Sequence, residues 1–335
     1  MDKIIWYFIQ MNPKRCNEYD YINFLVAAPK SYSCLEAGRV QPAKANTPAH
    51  DSLNRMLHRI QPNTEDLWRE AQPQVNPREG LLLLDDSTLD KPYAKKMDLV
   101  YRHWSGKHHN TVRGINLLTL LWTEGDKPIP GDYRLYDKPN DNLSKNNHLT
   151  DFLKVAYQRG FQPTYVSFDS WYSSLSNLKL IRQCGWHWFT RFKSNRLVNP
   201  DQLGNVPIAR IDIGTTGRIV HLKAYGFIKL FRTVSRDGDV EHWATSHLEM
   251  RPLERLSIAE LGPLRIIIAV LSNSAVLRSA KLVQQRLNET RLVFLDELFC
   301  DWKCSAISPV IVGLKLKCRL SVMLEELIYK TLNIS

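Results

Sequence analysis

Hydrophobic and polar positions change their period several times along the chain. Up to about residue 79, turn formers separate short helical patterns. Residues 51–60 carry the clearest one. Leu53, Met56, Leu57 and Ile60 share a face, Asp51 or Ser52 can cap it, and Arg55, His58 and Arg59 ride on the same helix. Residues 19–25 predict another helix. At Gly80 the pattern turns over. Leu81-Leu82-Leu83-Leu84 is wholly apolar and bounded by Gly80 and Asp85, as in a strand buried on both faces. Residues 114–122 and 129–136 predict two further strands, parted by the breakers Gly125-Asp126-Lys127-Pro128. Next come an amphipathic helix over 147–159, a strand over 164–168 running into Asp169, a helix over 174–184 closed by Gly185, and a strand over 186–191. That alternation predicts an α/β core.

From 194 to about 248 the period shortens again. Strand patterns at 211–213, 218–224, 227–234 and 242–247 are separated by bends at Gly214, Gly226 and Asp237-Gly238, which reads as a β-rich insertion. After Glu260 the apolar residues come in blocks, at 266–271 and 310–314, and residues 284–298 favour a helix by residue type alone. The segmentation is a helical region over 1–79, an α/β core over 80–193, a β-rich insertion over 194–250 and a C-terminal segment over 251–335.

Two carboxylates follow predicted buried strands, Asp86 after the leucine run and Asp169 after residues 164–168. Strand ends in an α/β sheet open onto the crevice where ligands bind. Two acids side by side repel, and a hard divalent cation such as Mg²⁺ or Mn²⁺ relieves that cost while binding phosphate. Asp after a strand is also a common turn or capping residue, so the pair counts for more than either acid alone.

The stretch Leu81–Asp90 (LLLLDDSTLD), followed by Tyr101-Arg102-His103-Trp104-Ser105 and Gly114-Ile115-Asn116, resembles the first catalytic block of insertion-sequence DDE transposases. Residues 166–180 (VSFDSWYSSLSNLKL) resemble their second block, and 186–196 (WHWFTRFKSNR) the strand and basic turn that come next. The resemblance spans roughly residues 15–260 and rests on the order and spacing of the blocks. It implies an RNase H-like core with a β-rich insertion and a small helical N-terminal region. It also implies Mg²⁺ or Mn²⁺ held by Asp86 and Asp169, with Asp85 the lesser candidate for the first acid. The partner would be double-stranded DNA, both element ends and target, bound by a homo-oligomer. Lys193 and Arg196 lie in the basic turn, where contact with phosphate and a solvated loop charge both fit. Arg55 and Arg59 suit a DNA-binding head or a plain helical cap. His103, His108 and His109 fall near the site or serve the structure.

The family's third acid is a Glu in a stretch resembling W-x-I-E, with Lys seven residues on. This chain has none; Glu260 and Glu289 lack the flanking residues. One nucleotide back, however, codons exist for residues 261–278 that also spell W-T-I-E-N-Y-H-R-G-I-K-Q-F-C-G-V-E. For example, ATT-ATC-ATC-GCG encodes Ile266-Ile267-Ile268-Ala269 and, shifted, Y-H-R. The hidden Glu straddles Leu264 and Arg265, and the hidden Lys straddles Leu271 and Ser272. The expectation is a frameshift near residue 261 that removes the third acid and with it the cutting activity. A programmed shift and a degenerate gene copy both produce this; the absence of a lysine run upstream favours the second.

Composition adds a partner and removes some classes. The chain has 335 residues, 44% hydrophobic and 24% charged, with a formal net charge of +11. That is ordinary for a globular protein except in its basic excess, which favours polyanions such as nucleic acid. No apolar run is long enough to cross a bilayer, and the apolar stretch 4–9 is too short for a secretory signal, so a cytoplasmic, nucleoid-associated bacterial protein with no membrane partner is expected. Cysteines 16, 34, 184, 300, 304 and 318 show no framework spacing, and free thiols are expected. The function read from the sequence is a DNA transposase with metal-dependent cleavage and strand transfer. The other readings are a catalytically dead DNA-binding remnant and another RNase H-like nuclease, such as a junction resolvase.

Overall fold

A computed structural model describes residues 16–27, 33–41, 47–59, 63–78, 80–94, 99–105, 109–124, 127–234 and 238–252. The expectations for Ile60, His108, Glu260, Glu289, the cysteines at 300, 304 and 318 and everything from 261 onward lie outside those residues. The chain divides into two compact units, with the break between residues 63 and 64.

In the first unit, helix α1 (Glu18–Ala27), α2 (Cys34–Arg39) and α3 (His50–Arg59) close a small core from Cys16, Tyr21, Ile22, Phe24, Ala37, Leu53, Met56 and Leu57. Helix α3 starts one residue ahead of the expected cap. The Ala49 carbonyl accepts from the Ser52 and Leu53 N–H groups, so Ser52 lies inside the helix and is buried. Arg55, His58 and Arg59 stay exposed on the opposite side.

The second unit is built on one mixed sheet. Strands β1 (Leu81–Asp90), β2 (Tyr101–Ser105), β3 (Asn110–Glu124), β4 (Lys127–Tyr136), β5 (Tyr165–Phe168) and β6 (His187–Phe192) come first. After the short ribbon β7 (Leu197–Val198) and β8 (Val206–Pro207), β9 (Arg218–Leu222), β10 (Gly226–Val234) and β11 (Val240–Thr245) complete it. The order is β2-β3-β1-β5-β6-β11-β10-β9, with β4 also paired to β3. Gly114 faces both Asp90 and Tyr101, so β1 takes one edge of β3 while β2 and β4 lie end to end along the other. Strand β1 is antiparallel to β3 and parallel to β5, which is parallel to β6. This is the mixed α/β core expected from the sequence.

Three helices pack on this sheet. Helix α4 (Thr64–Ala71), which the sequence pattern did not reveal, lies on β4 and sets Trp68 against Phe161 at 5.1 Å between ring centroids. Helix α5 (Lys145–Gln158) follows β4, and α6 (Leu175–Gln183) lies between β5 and β6. Strands β9 to β11 carry the sheet onward from β6, with Phe189 and Trp243 stacked at 4.8 Å. Residues 211–213, expected as a strand, instead follow a short 3₁₀ turn (Ile208–Arg210), and Ile211 and Ile213 bury their side chains without pairing. Their alternation reports burial, which needs no ladder.

Gly80 shows how tightly β1 is entered. A Cβ there would sit 2.3 Å from Cζ2 of Trp122, which is fully buried, and 2.8 Å from the Thr123 carbonyl oxygen. Neither neighbour has room to yield, so Gly80→Ala should cost about 1–3 kcal/mol. A urea midpoint unchanged from the parent would contradict this packing.

Candidate active site

The leucine run does not end β1. Its parallel pairing with β5 stops at Leu84 opposite Phe168, while its antiparallel pairing with β3 continues to Asp90. Asp85 and Asp86 therefore stand where β5 leaves the sheet, one and two residues past the last shared pair. Asp169 is the first residue beyond β5. The sequence pattern placed both acids after strands; in fact Asp86 lies within one, paired with Leu118, beyond the point where its parallel neighbour departs.

Local capping builds the walls. Asp169 accepts the Ser170 N–H at 2.6 Å and starts the 3₁₀ turn Ser170–Tyr172. That turn sends the Tyr172 hydroxyl back to donate to Asp86 Oδ1 at 2.8 Å. Ser144 and Asn147 form a reciprocal capping box at the start of α5, which sets Lys145 in the first helical turn. From there Lys145 Nζ reaches Asp86 Oδ2 at 2.6 Å, and Asn116 Nδ2 donates to the same oxygen at 3.1 Å. Asn177, in the first turn of α6, donates to Asn146 Oδ1 at 2.7 Å and the Tyr172 carbonyl at 2.9 Å. The two helix starts and the turn after Asp169 are thus tied together.

The acids feel one another. Burial, then the charge of Asp86, and further on that of Asp169, push the Asp85 carboxyl up to about 8. Burial also pushes Asp86 up, but the Lys145 ammonium and the hydrogen bonds from Lys145, Asn116 and Tyr172 outweigh it and hold that carboxyl below the usual range. Burial first, then the charges of Asp86, Asp85 and Asp169, raise the Tyr172 phenol far out of reach, so it stays a donor. Asp85 itself is buried, with Oδ1 accepting the Asp86 N–H at 2.8 Å and Oδ2 unpartnered.

Lys193 is exposed, 5.9 Å from the ring of Trp171, the exposed tryptophan two residues past Asp169. Arg196 instead packs over Phe192 at 5.1 Å and lines an open depression with Leu175, Asn195, Leu222 and Lys223. Arg55 and Arg59 belong to the first unit. His103 is buried, and desolvation followed by the charges of Lys145 and Lys138 lowers it to about 4, so its ring is neutral. His109 is exposed. Spacing alone did not single out Lys145 or Tyr172. The Ser144 cap and the position of Tyr172 three residues after Asp169 are signals that could have found them.

The donor set suits a hard divalent cation. The groups are carboxylates, burial and then their mutual repulsion raise Asp85, and Asp86 already holds a cation in the form of an ammonium. Among the described residues no group of three or more His, Cys, Asp or Glu side chains is arranged as a complete metal site.

The family described as DDE superfamily endonuclease matches residues 40–227, more than half of the chain. The chain belongs to this family. Comparison with curated proteins gives no match. Solved structures similar to this DDE superfamily chain include a piggyBac transposase synaptic complex with hairpin DNA, at 9% identity over 96% of this chain and 73% of that one, with a TM-score of 0.46. The Mos1 strand transfer complex is 12% identical over 53% of this chain and 58% of that one, TM-score 0.21. The Drosophila P element transposase strand transfer complex is 10% identical over 96% and 81%, TM-score 0.29. The family match sets the class; likenesses this distant place no residue. Among the described residues no helix is long and apolar enough to cross a membrane, and Cys16, Cys34 and Cys184 form no disulfide.

Proposed function

We propose that the chain is a DNA transposase of an insertion sequence that retains its first two acids and its DNA-binding surfaces and has lost cutting activity through a frameshift near residue 261. The observation that carries this reading is the position of Asp85, Asp86 and Asp169 where β1 and β5 part, near enough for their charges to act on one another, with the Lys145 ammonium on Asp86. Asp86 and Asp169 would hold Mg²⁺ or Mn²⁺; the chemistry such an ion supplies is Lewis-acid stabilisation of charge on a phosphate undergoing displacement. In the intact reaction a water oxygen bonds to phosphorus at the element end and the 3′-oxygen leaves as a hydroxyl; that hydroxyl oxygen then bonds to a phosphorus of target DNA, and the target's own 3′-oxygen leaves as a hydroxyl. Tyr172 and Asn116 orient Asp86 throughout by donating to its two oxygens. Lys193, Arg196, Arg55 and Arg59 would contact phosphate. The assembly on DNA would be a homo-oligomer.

The present chain should bind end-bearing duplex DNA with a steep salt dependence and leave it uncut in Mg²⁺ or Mn²⁺. Moving the frame back by one base from about residue 261 should restore cleavage, and Asp86→Asn or Asp169→Asn in the repaired chain should remove it again, by a thousandfold or more as an order of magnitude. Cutting by the unrepaired chain, or by repaired Asp169→Asn, would count against the proposal. So would a gene sequence whose shifted frame does not spell the third-acid stretch.

A further inference from the structure

Lys145 is badly placed for its own helix. The first turn of α5 contains no acidic residue, and a lysine there faces the positive end of the helix dipole. Its ammonium is instead matched to Asp86, and both side chains are mostly buried, 18% and 22% exposed. The same ammonium lies 5.7 Å from the Tyr136 ring, a second resting place for a cation on a flexible stem. Across that wall His103 is 5% exposed, and its Nε2 has no hydrogen-bond partner. His103 lies 6.2 Å from Tyr136 by ring centroid and within the electrostatic reach of both Lys145 and Asp86. The Lys145 ammonium, on a long stem between Asp86 and this wall, is a donor suited to the oxygens of a phosphodiester.

We propose that Lys145 is an exchangeable counter-ion: it neutralises Asp86 until a divalent cation binds, and then, displaced toward Tyr136 and His103, holds the DNA phosphate next to the acids. The inference rests on the transposase reading for its substrate but not for its first half, which concerns the protein and the ion alone. The cation and the ammonium compete for Asp86 Oδ2. Asp169 favours the cation, because a divalent charge shared by two carboxylates is held more strongly than a single ammonium on one of them. Once displaced, Lys145 gains a partner only when DNA is present, so ion and DNA should each strengthen the binding of the other.

The test uses the full chain, Mn²⁺ alone as the metal probe, and a duplex of arbitrary sequence about 30 base pairs long. Titrated with Mn²⁺ by electron paramagnetic resonance, Lys145→Met should bind the ion about tenfold more tightly than the parent, within the usual range for two coupled sites. Lys145→Gln, which keeps a neutral donor for Asp86, should fall between them and covers the chance that the methionine variant fails to fold. With DNA, the parent's salt slope in Mn²⁺ should exceed its slope in EDTA by about 0.9, the value for one added phosphate contact, and the two slopes of Lys145→Met should coincide. Unchanged or weaker Mn²⁺ binding by both variants overturns the counter-ion role. Equal slopes for the parent in Mn²⁺ and EDTA overturn the phosphate role. If the parent does not bind DNA at all, the transposase reading and the phosphate role fall together, and the Mn²⁺ titration still decides the first half by itself.

Discussion

Changing Asp85 to asparagine will make the folded protein more stable near pH 8 and remove most of its loss of stability between about pH 5 and 8. Burial, reinforced by the charges of Asp86 and Asp169, raises this carboxyl to about 8, whereas in the unfolded chain it ionises near 3.9. Between those values the folded protein holds a proton that the unfolded chain has released. The contribution of this group is therefore complete below about pH 4 and is lost as pH rises through about 8, at no more than roughly 1.4 kcal/mol per pH unit. Asparagine is nearly isosteric, and its oxygen can still accept the Asp86 N–H that Asp85 Oδ1 accepts now. Its amide nitrogen replaces Oδ2, which is unpartnered already. A gain of about 2 kcal/mol near pH 8, measured by urea unfolding in EDTA, is expected. If parent and variant lose stability in parallel across that range, Asp85 is not the titrating group.

The converse change, Asn116→Asp, should be strongly destabilising without metal and should be rescued by it. Asn116 is fully buried, and its amide donates to Asp86 Oδ2 at 3.1 Å, Thr88 Oγ1 at 3.4 Å and the Ser87 carbonyl at 3.5 Å. A carboxylate there removes all three donations and sets a like charge against Asp86. An uncompensated buried charge costs about 3–5 kcal/mol. For a unit of this size each kcal/mol moves the midpoint by about 2–4 °C, so a fall of roughly 10 °C in EDTA is expected. Millimolar Mn²⁺ should recover more of that loss than it adds to the parent, because the extra carboxylate supplies another oxygen ligand. Equal stabilisation of both proteins by Mn²⁺ would argue that no cation binds beside Asp86.

Much of the second unit was legible in the chain. The leucine run over 81–84, the strands at 114–122, 129–136 and 186–191 and the helix at 174–184 all appear with bounds shifted by a few residues. Such segments are dominated by burial, and burial writes a period into the sequence. The strand β2 was not legible, because its buried positions are the polar His103 and Ser105 while the exposed ones include Tyr101 and Trp104, so residue type runs against burial. Helix α4 was missed for a related reason: eight residues give little more than two turns over which a period can show.

By itself the sequence determined the chemical class: an α/β order, two aspartates after apolar runs, and blocks whose order resembles DDE transposases, in keeping with the DDE superfamily endonuclease family to which the chain belongs. Only the tertiary structure decided the electrostatic state of the site. Whether Asp85 or Asp86 is ionised depends on which of them meets Lys145, Asn116 and Tyr172, residues 59, 30 and 86 positions away from Asp86 along the chain. Strand register and helix capping bring those groups together. Charge–charge energy varies steeply with distance and burial, and neither is written in local residue order.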